Sequence, residues 1–537
     1  MAESGPGAVA GGVRRWAAVS ALAVLTFGVG LGRAGRLTYH EAFVAEAARE
    51  MLASGDPLIP AVGGRPWLEK PPLAVWLAAL AGRVSGGVSE TAARAPSAVA
   101  AALLALGVAA LAARRFGPAV GLLAGLTQAT TVWTVMRGRL AEVDIILACL
   151  VTWSVVAFDR LRSTWADLEA RDADAKAQAR WRWGFFAALG LTGLAKGVGF
   201  GAAIVLAVVG SVLLWDRDRA ALRRLTFARG WVLAGVLGLT WPVLAALRHP
   251  SSIGLWFLHV ADRLAAQPKH FTGQSWWQYA STLLAVLLPW TPLALTGAWR
   301  SLRGALGQGG RGGGDRLLWA WTAAPLVLLS LATVKNAHYA IHALPPCSVW
   351  AAQGLLRLGE RLQRVRGWSA ARVRRAAWAG FVGLGLAYAL GFAVLGPRVD
   401  RRGVEWAFYE DASRHLRPGE PVALLYHVPE WDRAPYDTPF GPAPHDWAVR
   451  LFYLKRPAPC RFGVDELVSD PVVATPSPFA VIGREADLPG LRRLGRVETL
   501  ASGPDARSDR TYRLFRVTPE SVPTPIAASG GGAPVRR

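Results

Sequence analysis

The 537-residue chain is short of charge, short of acid and short of cysteine. Charged residues make up 18% of it, against about 25% in a soluble protein. The deficit sits in long apolar runs within the first 400 residues, which excludes a simple soluble enzyme. Three widely spaced cysteines, Cys149, Cys347 and Cys460, exclude a disulfide scaffold and a cysteine zinc cluster. Acids number 37 against 60 Lys and Arg, for a net charge of +23. A balance this basic fits nucleic-acid binding or a membrane protein with basic internal loops, and the placement of the charge decides.

Apolar stretches long enough to cross a bilayer fall near 16–32, 95–113, 117–136, 143–159, 183–195, 198–215, 230–247, 278–298, 317–333, 338–356 and 376–396. The run 183–215 can be cut in more than one way. The first stretch has the look of a signal-peptide core, but ten more follow it, so it reads as an anchor. With the N-terminus inside, internal segments carry 26 Lys and Arg. External segments before residue 397 carry 14, seven of them in the long loop 33–94. That asymmetry obeys the positive-inside rule and removes the case for nucleic acid.

The expected fold is therefore an all-α polytopic membrane protein of about 11–13 spans with a small external α/β domain. The divisions are 1–396 for the membrane domain, 397–520 for the external domain and 521–537 for a low-complexity tail. In the external domain, Pro421–Val428, Phe479–Gly483 and Thr511–Val517 read as strands, and Trp447–Leu454 reads as a helix.

The loop 33–94 carries most of the chemistry. Phe43, Val44, Ala47, Ala48, Met51 and Leu52 form one apolar helical stripe, the pattern of a helix lying in the membrane interface. Thr38 and Glu41 have capping-box spacing, so Glu41 reads either as a cap or as an acid facing a site. Further on, Glu69 and Lys70 precede Pro71 and Pro72, residues suited to a helix start. Free amides beside a lysine make an anion site suited to phosphate; the alternative for Lys70 is a snorkelling side chain.

Glu142 and Asp144 lie at the external start of a span, where acids are costly and usually functional. Arg137 and Arg139 are close enough to pair with them. Lys196 lies between two apolar runs, and Lys335 and Tyr339 lie at another external turn, where a tyrosine is commonly an interface anchor.

The ordered set AEAAREML, EKPPL, GRLAEVDIIL (138–147), GLAKGVGF (193–200), TWPVLAALRHP (240–250), LLPWTPL (287–293) and VKNAHYAIHALPP (334–346) resembles the aminoarabinose transferase and protein O-mannosyltransferase superfamily. The order and spacing hold over roughly residues 30–350, and EKPP is the most specific element. The resemblance implies the class C glycosyltransferase fold in the bacterial inner membrane, with a cavity at the external face. It implies a polyprenyl-phosphate-linked sugar as donor, and a lipid A-like, other envelope or protein acceptor. The leaving phosphate needs cationic stabilisation, for which Lys70 is the first candidate and Arg263 a second cation; Lys196 matches a family lysine placed to touch donor or acceptor, and Lys335 and Tyr339 are placed to line the cavity. A divalent metal (Zn, Mg or Mn) is used by some members, and Glu69 with His259 are its candidate ligands, with His270 a rival to His259. Asp144 matches a family aspartate and ranks above Glu142.

The departure is His40-Glu41, where many members have Asp-Glu. Glu41 or His40 itself then has to serve as the catalytic group. A phosphate acceptor needs no base, whereas a hydroxyl acceptor does, so the substitution bears on the acceptor. The competing readings are a lipid or sugar transporter, and an inactive lipid-binding relative. Transporters tend to carry repeats and broken midplane helices, whereas the candidate charges here cluster at one face.

Overall fold

The computed structural model describes residues 6–33, 35–166, 173–264, 275, 277–307, 313–333, 335–400, 403–426, 437–438, 441–442, 447–468, 477–504 and 511–519. The chain divides into two compact units, Met1–Asp400 and Arg401–Arg537.

The first unit is helical. It runs α1 (Pro6–Ala23) with a π-helical turn (Val24–Gly28), α2 (Tyr39–Ser54), α3 (Leu73–Ser85), α4 (Glu90–Phe116), α5 (Pro118–Thr130), α6 (Val132–Gly138) and α7 (Val143–Ala166). It continues with α8 (Ala173–Lys196), α9 (Phe200–Asp216), α10 (Arg219–Leu225), α11 (Ala228–Arg248), α12 (Ser251–Leu264), α13 (Gln278–Val286) and α14 (Thr291–Leu306). Then come α15 (Gly313–Ser330), a 3₁₀ turn (Ala337–Ala343), α16 (Leu344–Arg366) and α17 (Ala370–Leu390). Every apolar stretch read from the sequence falls on one or two of these helices.

Among the described residues, three helical segments are long and apolar enough to cross a bilayer: α4, α11 and the run Ala370–Val399. Two bent pairs extend this to five if each is one span, α5 with α6 at 59° and α13 with α14 at 120°. The ambiguous run 183–215 resolves into α8 and α9. Between them Gly197 and Gly199 have φ of +94° and +92°, a backbone region that side chains with a Cβ resist.

The apolar stripe of α2 packs inside the protein. Val44, Ala47, Ala48 and Met51 are buried within the protein, and Phe43 stacks on Trp67 with ring centroids 5.5 Å apart. Of the stripe only Leu52 is exposed, at 38%. The helix packs against α3 and α4, so an amphipathic pattern that suits lipid headgroups here serves a protein neighbour.

Close helix packing depends on missing side chains. A Cβ on Gly297 of α14 meets the Trp350 carbonyl oxygen of α16 at 2.0 Å, and one on Gly354 meets the Leu293 oxygen at 2.2 Å. The pairings 297 with 350 and 354 with 293 run in opposite senses, so the two helices are antiparallel and nearly touch backbone to backbone. Gly297→Leu is expected to force them apart and cost at least about 1–3 kcal/mol, the range for overpacking. A thermal melt of the purified protein in detergent checks this; an unchanged midpoint refutes it.

The second unit holds a five-stranded mixed sheet in the order Cys460–Arg461, Val422–Leu425, Phe479–Arg484, Thr511–Thr518, Arg496–Pro504. The first three strands are parallel and the last two pair antiparallel. Its core joins Ala423, Leu425, Phe479, Val481, Phe515 and Val517 with Leu467 and Leu491 of two short helices. The three strands and the helix Trp447–Leu454 expected from sequence are present. The edge strand Arg496–Pro504 was not legible: its largely exposed residues and a bulge between Thr499 and Ala501 blur the alternation. The tail 521–537 lies outside the described residues.

Candidate active site

The site is assembled where five segments of the first unit converge. Thr38 caps α2: its hydroxyl accepts from the Glu41 N–H at 3.3 Å, and the Glu41 carboxylate accepts from the Thr38 N–H at 2.9 Å. That fixes the first turn of α2 and presents His40. A short ribbon pairing Ala61–Val62 with Arg65–Pro66 delivers Trp67–Pro71 ahead of α3. The link from α6 to α7 brings Arg137, Glu142 and Asp144; the end of α8 brings Lys196; the 3₁₀ turn brings His338 and Tyr339. Together they line a cavity of about 300 Å³.

The lining is polar and closely balanced. Glu69, Glu142 and Asp144 face Lys70, Arg137 and Lys196. Asp144, 7% exposed, is the hub: it accepts from the Lys196 ammonium and, at 3.2 Å, from Arg137, while His338 Nε2 stands 3.8 Å away. Arg137 also pairs with Glu142. The Lys196 ammonium lies 4.1 Å from the Tyr339 ring centroid and 5.4 Å from that of Phe200, cation–π contacts that hold it in place. Lys70 is only loosely held, 3.9 Å from Glu69. Burial pushes the Glu142 carboxyl up to about 7, with the carboxylates of Asp144 and Glu41 pushing the same way and Arg137 and Lys70 opposing.

Seven expected residues therefore share one cavity: His40, Glu69, Lys70, Glu142, Asp144, Lys196 and Tyr339. Glu41 is not among them. It is fully buried, accepts from Arg94 at 2.7 and 3.3 Å and from the Ala141 N–H at 3.1 Å, and ties α2 to α4 and to the link carrying Glu142. The capping alternative describes it, and an acid facing substrate does not. Lys335 is buried, with its ammonium donating to the Ala332 carbonyl at 2.9 Å; its neighbour Asn336 lines the cavity instead. The backbone at His259 and Arg263 lies in α12, but their side chains, and His270 entirely, lie outside the described residues.

Of the two arginines expected to pair with the acids, only Arg137 does. Arg139 donates to the Thr26 and Val29 carbonyls, both at 2.8 Å, and its guanidinium stacks on Phe392 at 4.3 Å. Sequence reasoning missed Arg137 as a cavity residue and His338 altogether. The signal for His338 lies in the string KNAHYAIH, where it stands between Lys335 and Tyr339, the two residues read as lining the cavity.

Of the two expected metal ligands, Glu69 lines the cavity, and the side chain of His259 lies outside the described residues. Among the described residues no group of three or more His, Cys, Asp or Glu is placed to hold an ion, and all three cavity carboxylates have cationic partners. The arrangement instead suits an anion that competes with these carboxylates for Lys70, Arg137 and Lys196.

Residues 69–245 match the family described as dolichyl-phosphate-mannose-protein mannosyltransferase. The chain is 32% identical over 367 residues to an undecaprenyl phosphate-alpha-4-amino-4-deoxy-L-arabinose arabinosyl transferase of Edwardsiella ictaluri, covering 65% of this chain and 61% of the relative. It is 30% identical over 330 residues to the enzyme of that name from Pseudomonas aeruginosa, covering 59% and 55%. The match thus spans less than two thirds of these relatives' length. The crystal structure of ArnT from Cupriavidus metallidurans bound to undecaprenyl phosphate superposes with a TM-score of 0.70 at 19% identity, covering 94% of this chain and 98% of that one. At that identity the likeness concerns the fold. The resemblance carried by EKPP and its companion motifs is borne out.

Proposed function

We propose, for a chain that is a relative of the aminoarabinose transferases and the protein O-mannosyltransferases, that it is an integral membrane glycosyltransferase. It takes a sugar from a polyprenyl-phosphate donor and passes it to a lipid A-like, other envelope or protein acceptor. The observation that carries this is the convergence of Lys70, Arg137 and Lys196 on one cavity beside the start of α3. Three cations suit a phosphodiester donor and, better, the phosphate monoester that leaves, whose charge grows as the glycosidic bond breaks. Asp144 holds Lys196 and Arg137 in position, and Lys70 supplies the less restrained charge.

In this reading the chain crosses the inner membrane about 11–13 times, with the cavity and the second unit on the external side. The reading is tested by giving the purified protein, in nanodiscs, radiolabelled polyprenyl-phosphate sugars. Transfer or donor hydrolysis by wild type, lost in Lys70→Ala, is expected; no turnover with any donor refutes it.

The perturbed Glu142 gives this site a pH dependence. Below about 7 its carboxyl is neutral and leaves Arg137 to the donor phosphate; above about 7 it ionises and competes for that guanidinium. Donor KM is therefore expected to rise as pH increases through 7, by up to about tenfold if the competition amounts to about 1.4 kcal/mol. Glu142→Gln is expected to hold KM at its low-pH value throughout. A pH-independent wild-type KM is the contrary result.

A further inference from the structure

We propose that His338, positioned by Asp144, takes the proton from an O–H acceptor, and that this chain accordingly glycosylates a hydroxyl rather than a phosphate. The inference rests on the transferase reading above and deepens it. His338 lines the same cavity as Lys70 and Lys196 and is partly exposed, with 29% of its side chain accessible. Its Nε2 faces Asp144 Oδ2 at 3.8 Å, a distance at which a small closure makes a hydrogen bond; such contacts are often long before substrate binds. Its ring stands edge-on to Tyr339, with centroids 4.4 Å apart and planes at 84°, which limits its rotation. With Nε2–H directed at the carboxylate, Nδ1 keeps the lone pair, as in an Asp–His arrangement where the acid sets the tautomer.

The surrounding charges explain when the base acts. Burial of the ring opposes a second proton on it, as do Lys196, Arg137 and Lys70 from the facing elements, while Asp144 favours it; Glu142 and Glu69 are drawn to cations of their own. As the donor's anomeric C–O bond breaks, its electron pair goes to the phosphate oxygen, and the new negative charge offsets those three cations. The acceptor oxygen forms the bond to the anomeric carbon, and its proton passes to His338. The imidazolium then returns that proton to water or to the released phosphate monoester. A phosphate acceptor, already ionised, has no use for such a group.

The test is His338→Gln in the full chain in nanodiscs, with radiolabelled polyprenyl-phosphate sugar as donor and water as the O–H acceptor, with and without sodium azide. Azide attacks without losing a proton. The expected result is a fall in kcat of about 10²-fold, the lower end of general-base contributions, with donor KM changed less than threefold and turnover restored by azide as glycosyl azide. His40→Asn, in the other cavity histidine, is expected to show no azide-dependent rescue. His338→Gln retaining wild-type turnover, or losing it with a raised KM and no rescue, overturns the proposal while leaving the transferase reading in place. A wild type that consumes no donor overturns both.

Discussion

Lys196→Ala is expected to lower kcat/KM for the sugar donor by about 10²–10³-fold, the cost of removing one preorganised electrostatic group from an active site. The ammonium is fixed from two sides, by the Asp144 carboxylate and by the Tyr339 ring, so no reorganisation is needed when negative charge develops on the leaving phosphate. Asp144→Asn is expected to cost a similar factor without touching substrate, because Lys196 and Arg137 both lose the carboxylate that aims them. The two effects should not add: residues acting as one unit show large coupling, so Asp144→Asn combined with Lys196→Ala should lie near the worse single variant. Steady-state kinetics on the three purified variants decide the matter. A double variant whose loss equals the product of the single losses shows that the pair does not work as a unit.

The largest expected effect on stability comes from a residue outside the cavity. Arg94→Leu strands the Glu41 carboxylate, which is fully buried, with two backbone amides as its remaining partners in that cluster. Breaking a buried pair by removing one member costs about 3–5 kcal/mol. Glu41→Gln should cost less, since Arg94 also donates to the Leu31, Gly35 and Arg36 carbonyls. Replacing both partners with leucine should be milder than Arg94→Leu with Glu41 intact, because no charge is then left unpaired. Thermal unfolding in detergent measures all three. Arg94→Leu melting with the wild type would falsify this account of the ion pair. Activity should fall alongside, since Glu41 holds the Ala141 amide one residue from Glu142.

Much of this was written in the chain as local pattern. Helix positions followed from apolar runs, because a lipid-facing or buried helix must be apolar over its length wherever it sits. The cap at Thr38, the proline-led start of α3 and the strands of the second unit are short-range features, and the sequence carried them. The cavity carboxylates and lysines were legible as well, since charge next to a long apolar run is expensive and needs a purpose.

What the pattern left open was direction. Glu41 and His40 are adjacent, yet one turns into a buried ion pair with Arg94, 53 residues away, while the other lines the cavity. Arg137 and Arg139 are two residues apart, and only one meets the acids. The α2 stripe had the spacing for a membrane surface and met α3 and α4 instead. By itself the sequence determined which residues are too polar to be idle and roughly where helices run. Only the tertiary structure decided which of them meet, because partners from α2, α4, α7, α8 and the turn before α16 are separated by dozens to hundreds of residues, and no local periodicity encodes a contact at that range.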